Sequence, residues 1–362
     1  MVKSWLFDIF NYPYDSAPEG LDPALVEDEF DWHLDAWVKA EELGYDGVLF
    51  SEHHFTAYNM SPSPNLLVAA VAQRTNTLRL GAMCNVTAFH NPRRLAEETA
   101  MLDYLTRGRL EVGLGRGADD HEFRKEGFPL EDTRPWFEES LELMHKAWEQ
   151  PRFTHHGRFF HYDDVSIYPR PRRTPRIWVT ALSPATIAWA GSKGYRLSLA
   201  FMPAKVMAQF RNIYNEAAAD AGHSTAPEQI GVMRNIFVAD SDEEARDLAE
   251  PALDHVFRLF KEAAVPDDLG HMAPGYEGYS SFFAPFAAEG GVRFEDLQAS
   301  GAVVVGSPST VRDQLVAQVE EIGCGHLMNW FSFGQLTRDQ TMRSMELYAK
   351  EIVPALRSLE VR

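Results

Sequence analysis

Glu52-His53-His54-Phe55 places one carboxylate and two imidazoles directly after a short apolar run. That run, Tyr45-Asp46-Gly47-Val48-Leu49-Phe50-Ser51, has the length and composition of a buried β-strand. Parallel α/β proteins keep their reactive groups at the carboxyl ends of such strands. An imidazole there titrates near neutrality and can hold or move a proton. Paired histidines at a strand end also serve as plain hydrogen-bonding groups, so the stretch gains meaning from what other strand ends contribute.

Two further stretches could hold an anion. In Gly113-Leu114-Gly115-Arg116-Gly117 the glycines let a ligand approach the backbone, and Arg116 offers a forked donor to a phosphate. The same residues form half of a dinucleotide fingerprint, a weak signal alone, and also suit a tight strand-to-loop turn. Ser183-Pro184-Ala185-Thr186 starts a helix, with Ser183 at the N-cap and Pro184 in the first turn. Helix starts attract anions, and Thr186 lies within reach of the same group; a simple cap explains the residues equally well. His155, His156 and His161 lack a recognised ligand spacing, so a solvated hairpin is expected and no metal. No GxSxG elbow and no P-loop occurs.

The elements that must carry these residues alternate. Strands are expected at 5–10, 47–51, 78–86, 110–115, 176–181, 196–201, 230–238 and 325–331. Helices are expected at about 25–43, 64–74, 92–106, 133–149, from 184, at 203–221, from 242, and at 337–359. Eight strand–helix units without a linker point to a (β/α)8 barrel spanning 1–362 as one large domain, with the doubly wound sheet as competitor. Insertions interrupt the rhythm at about 151–175 and 265–302. The strand ends then gather Glu52, His53, His54, Cys84, Asn85, Arg116, Ser183, Asn329 and Trp330 at one mouth.

Composition narrows the class. The chain has 362 residues, 45% of them hydrophobic, and a formal net charge of −19. So acidic a surface disfavours nucleic acid and anionic membranes. Two cysteines, Cys84 and Cys324, are too few for a disulfide framework. With no signal-peptide pattern and no spanning apolar run, a reduced cytoplasmic protein is expected.

These segments together resemble the bacterial luciferase-like flavin-dependent monooxygenases. Residues 49–55 look like that family's second-strand motif. Residues 79–82 and 91–98 are similar to its third strand and following helix. Residues 102–117 resemble its most recognisable segment, 177–186 its fifth strand and phosphate-binding helix, and 304–308 with Gln314-Leu315 its C-terminal region. The resemblance covers nearly the whole chain. It implies a TIM barrel that binds reduced FMN from a separate flavin reductase and uses molecular oxygen to oxidise a small organic substrate. It assigns His53 as the catalytic residue beside the flavin ring and Glu52 as a lining residue. Met83 and Cys84 would form a bulge under the ring, and Arg116, Ser183 and Thr186 would hold the phosphate.

The chain departs from luciferases proper in three places. Gly115 stands where they have a cysteine, Leu182 where they have a phosphate-side glutamate, and Met83-Cys84 where they have small alanines. Light emission is therefore not implied. A deazaflavin-dependent oxidoreductase on the same barrel and a non-catalytic flavin binder are the alternatives. Tyr276, Tyr279, Phe282, Phe283 and Phe286 would wall an apolar pocket or pack as a lid. A homodimer through helices two and three is a possible assembly.

Overall fold

The computed structural model describes residues 1–14, 17–266, 268–270, 272, 276, 279–289 and 291–361. In chain order the strands are β1 (Lys3–Asp8), β2 (Gly47–Phe50), β3 (Arg79–Val86), β4 (Leu110–Gly115), β5 (Phe153–His156), β6 (His161–Val165), β7 (Ile177–Thr180), β8 (Arg196–Ala200), β9 (Ile230–Val238), β10 (Val303–Gly306) and β11 (His326–Trp330). Parallel pairing runs β1-β2-β3-β4-β7-β8-β9-β11 and returns to β1. β8 meets β9 at Leu197 and Ile230, and β11 meets β1 at His326 and Lys3. The sheet is therefore closed, a (β/α)8 TIM barrel rather than an open doubly wound sheet.

All eight expected strands are barrel strands. β10 is an addition, paired with the far half of β9 from Val303↔Asn235 to Gly306↔Val238. The expected hairpin is β5–β6, with one correction. His156 is exposed, but His155 is buried, with Nε2 3.1 Å from Glu139 and Nδ1 3.3 Å from Lys146. Within the second interruption the described residues include helices Tyr279–Ala287 and Phe294–Ala299.

Side chains alternate across each barrel strand, as the two-residue period requires. Trp5, Phe7, Leu49, Met83, Trp178, Met233, Met328 and Trp330 form one buried cluster inside the barrel. Leu6, Val48, Leu80, Val112, Val179, Val232 and Leu327 form another beneath the helices. The helices start on polar caps: Asn91 accepts the Arg94 N–H, Ser241 the Glu244 N–H, and Thr337 makes a capping box with Gln340.

The floor of the barrel is a layer of large side chains opposite glycines. A Cβ on Gly47 would strike the Trp5 ring, and one on Gly81 would strike the backbone carbonyl of Glu111. The Trp5 indole N–H donates to His326 Nδ1 at 2.9 Å, and burial pushes His326 down to about 3, leaving it a neutral acceptor. Buried Glu111 accepts from Arg79 and, at 2.8 Å, from the Trp178 indole; Arg196 lies 3.7 Å away. Glu111→Ala leaves two guanidiniums and an indole N–H without their acceptor. It should lower the free energy of urea unfolding by about 3 kcal/mol.

Candidate active site

The backbone leaves β2 at Phe50 and turns Glu52 inward. Its carboxylate accepts the Val86 N–H at 3.0 Å and faces His54 Nε2 at 3.0 Å and His90 Nε2 at 2.9 Å. Burial by itself would raise the Glu52 pKa, but the hydrogen bonds from His54 and His90 outweigh it and hold it below the usual value. Glu52 thus ties the loop after β2 to the loop after β3. It borders the cavity while its oxygens are engaged by protein groups.

His53 points the other way. Nδ1 lies 3.0 Å from Asp119 Oδ2 and 3.3 Å from Glu122 Oε1, and Glu122 Oε1 also accepts the His54 N–H at 2.6 Å. Burial alone would lower the imidazole pKa, but the two carboxylates dominate and raise it well above 6.5. Burial, then Asp119, raises Glu122. The two acidic side chains thus favour the protonated form of the imidazole they share. The three donor atoms also lie within 4.8 Å of one another, a spacing a cation could use, yet each already has an ionic partner within the cluster.

The short helix Asp120–Glu126 presents Glu122 and ends at Gly127 in the left-handed region. Gly117 adopts φ +83°, and a Cβ there would lie 2.6 Å from Phe123. Only a residue without a side chain lets the chain turn from β4 into this helix so closely.

Against β4, β3 carries a bulge. Ala82 pairs with Val112 and Asn85 with Leu114, so Met83 and Cys84 oppose Gly113 alone, and their peptide bond is cis. Met83 Sδ would lie 2.8 Å from a Cβ on Gly113, and Cys84 Sγ fills the space a Gly115 side chain would take. Burial pushes the Cys84 thiol up to about 12, so it stays uncharged.

At the opposite end, the Arg116 guanidinium donates to Thr133 Oγ1 at 3.1 Å, while its Nε is buried without a hydrogen-bond partner among the described residues. Arg134 reaches Thr186 Oγ1 at 3.2 Å. Ser183 caps the helix Pro184–Ser192 and lies 2.9 Å from Thr186 Oγ1. Arg134 also pairs with Glu138 at 2.9 Å, so the groups that suit an anion at this end are the open Nε of Arg116 and the helix start at Ser183. Tyr276 lies over Arg116, 4.7 Å from guanidinium carbon to ring centre, and donates to Thr133 Oγ1 or Gly117 O.

Between these ends is a cavity of about 150 Å³. Glu52, His53, Met83, Cys84, Arg116 and Thr186 all line it, and Ser183 sits behind Thr186. Tyr279, Phe282 and Phe283 cover it. Asn329 does not join the mouth as expected; its amide is buried against the Tyr348 hydroxyl at 3.0 Å. Sequence reading passed over Asp119, Glu122, His90 and Arg134. A signal for the first two existed in the acidic run after the glycine turn, closed by Gly127.

Residues 8–326 match the family described as luciferase-like monooxygenase, and the chain belongs to it. It is 25% identical to 2,5-diketocamphane 1,2-monooxygenase 1 of Pseudomonas putida, over 94% of this chain and 98% of that one. It is 26% identical to the oxygenase component of flavin-dependent trigonelline monooxygenase of Acinetobacter baylyi, over 89% of this chain and 88% of that one. The fold matches the oxygenating constituent of Pseudomonas putida 3,6-diketocamphane monooxygenase in complex with FMN, at TM-score 0.77, 24% identity and coverage of 98% of each chain. It also matches an F420-dependent secondary alcohol dehydrogenase at TM-score 0.73 and 17% identity, over 99% of each chain.

The ion-paired imidazole makes a directional claim. Its stabilisation is fully present below pH 6.5 and is lost as pH rises through the raised folded-state value. Asp119→Asn removes one carboxylate, so the His53 midpoint in an NMR titration should fall and that alkaline loss of stability should shrink. An unchanged midpoint would show that Asp119 does not set the charge on His53.

Proposed function

We propose that this protein is the oxygenase component of a two-component flavin monooxygenase. It takes reduced FMN from a separate reductase and, with molecular oxygen, oxidises a small organic substrate. The observation that carries the reading is the anion grip facing an imidazolium across one apolar cavity. Arg116, Arg134, Thr186 and the Ser183-capped helix would hold the phosphate. The Met83-Cys84 bulge would support the ring face. His53, charged by Asp119 and Glu122, would stand ready to hold or give a proton at the reacting edge. Glu52 would keep His54 and His90 in place rather than touch the cofactor with a free oxygen. Reduced FMN would supply the electrons that activate oxygen.

Relatives support the finer parts of this reading. One is named as an oxygenase component and another acts on a diketocamphane by its name, which makes compact ketones the first substrates to try. The cavity of about 150 Å³ is smaller than the roughly 300 Å³ of ordinary ligand sites. Flavin entry would therefore displace the Tyr279, Phe282 and Phe283 cover, which would then exclude water on return.

We also propose a homodimer. Leu66 on helix Pro64–Ala72 and Met101, Tyr104 and Leu105 on helix Pro92–Leu105 are exposed large hydrophobic residues on neighbouring helices. Such a patch suits a partner surface. Met101→Glu should halve the mass seen by light scattering without lowering the thermal midpoint of unfolding much; a monomeric wild type would end this part of the reading.

The cofactor reading is tested by anaerobic titration with reduced FMN, reduced riboflavin and reduced deazaflavin F420. FMN should bind best. Arg116→Ala should weaken FMN by about 10- to 100-fold, the size of a charge-assisted hydrogen bond, and leave riboflavin nearly unchanged. Equal binding of FMN and riboflavin, or preference for the deazaflavin, contradicts the assignment.

A further inference from the structure

Tyr58 is a polar residue of the cavity that no step above uses. It is 6% exposed, and its ring centre lies 5.4 Å from that of His53, edge to face. Phe260 and Trp330 pack on the same ring at 5.4 and 6.4 Å. Its backbone is fixed on both sides. Tyr12 N–H donates to Ala57 O at 2.9 Å, Met60 N–H to Phe10 O at 2.8 Å, and the Tyr58 N–H to Thr56 Oγ1 at 3.0 Å. Tyr58 lines the cavity, and its hydroxyl is not among the polar atoms closed off from solvent without a partner. The hydroxyl is therefore open to the cavity, where it can donate to an acceptor on a bound ligand.

The surroundings limit what that atom can be. The apolar part of the cavity lining includes Phe7, Ile9, Phe201, Met233 and Phe260, the last packed on the Tyr58 ring. Asp119 borders the same cavity with its charge directed to His53, so a second anion beside it would be repelled. Burial, with Asp119 and Glu122, raises the Tyr58 pKa and keeps the phenol a donor. An uncharged, compact apolar body with one strong acceptor fits these conditions, and a carbonyl oxygen is such an acceptor.

We propose that Tyr58 is the substrate-orienting residue, its hydroxyl donating to the carbonyl oxygen of a neutral, compact ketone and so turning the carbonyl group toward the His53 side of the cavity. This rests on the flavin monooxygenase reading for the use made of the bound ketone, but not for the binding itself. Tyr58 positions; it neither bonds covalently nor exchanges electrons.

The test compares camphor with bornane, the same hydrocarbon cage without the carbonyl. Binding to wild type and to Tyr58→Phe is followed by tryptophan fluorescence, under anaerobic conditions, with and without reduced FMN. Wild type should prefer the ketone over the hydrocarbon by about 3- to 10-fold, the size of one neutral hydrogen bond. Tyr58→Phe should erase that preference while hydrocarbon affinity and reduced FMN affinity stay as they were. A preference that survives in Tyr58→Phe, or no preference in wild type, overturns the proposal. Failure of reduced FMN to bind overturns the cofactor reading instead, and the flavin-free arm still decides the role of Tyr58.

Discussion

The contact of His53 with two buried acidic side chains, Asp119 and Glu122, ties together the two halves of the site. His53 leaves β2, whereas Asp119 and Glu122 follow β4, and β3 lies between the two strands. The pair can form only if the barrel strands are in register and Gly117 turns the chain sharply toward Phe123. One segment, 113–122, therefore supplies the glycines that admit the β3 bulge, the arginine of the anion grip and the counter-charges of His53. Separating the buried ions would leave each uncompensated, so the local fold and the charge state reinforce each other.

The barrel was readable in the sequence because its signals are strong and local. Each barrel strand is a short apolar run, and helix starts such as Asn91-Pro92, Ser183-Pro184 and Ser241-Asp242 announce themselves by their caps. His53, Arg116 and Thr186 could be collected because strand ends converge in a parallel barrel. What escaped depends on tertiary contact. Helix Asp120–Glu126 is short and polar, with no periodic apolar face to reveal it. Arg134 reads as a surface residue of a long helix until Thr186 is seen beside it. β10 is a four-residue apolar run that, among the described residues, pairs with the overhanging half of β9. His155 and Asn329 were misplaced for a related reason: a polar residue in an element shows no sign of which buried partner it will meet.

The departures from the luciferase pattern are coupled rather than scattered. Gly115 lacks a side chain, and the Cys84 thiol from the neighbouring strand enters the vacated space. The pocket keeps a sulfur there, carried by β3 instead of β4. Burial holds that thiol uncharged, so it contributes shape and polarisability rather than a nucleophile. Leu182 leaves that end of the cavity without a carboxylate at that position, which in the proposed function would spare a phosphate on Arg116 one opposing charge.

The central claim is that this cavity protects a reduced flavin while oxygen reacts beside a charged imidazole. An anaerobic complex with reduced FMN, mixed with oxygenated buffer, allows oxygen uptake and hydrogen peroxide release to be timed separately in the absence of substrate. The account predicts oxygen uptake followed by peroxide release that lags well behind it, with the lag shortened in His53→Ala. Peroxide appearing as fast as oxygen disappears, as with free reduced FMN, or no oxygen uptake by the bound flavin, would contradict it.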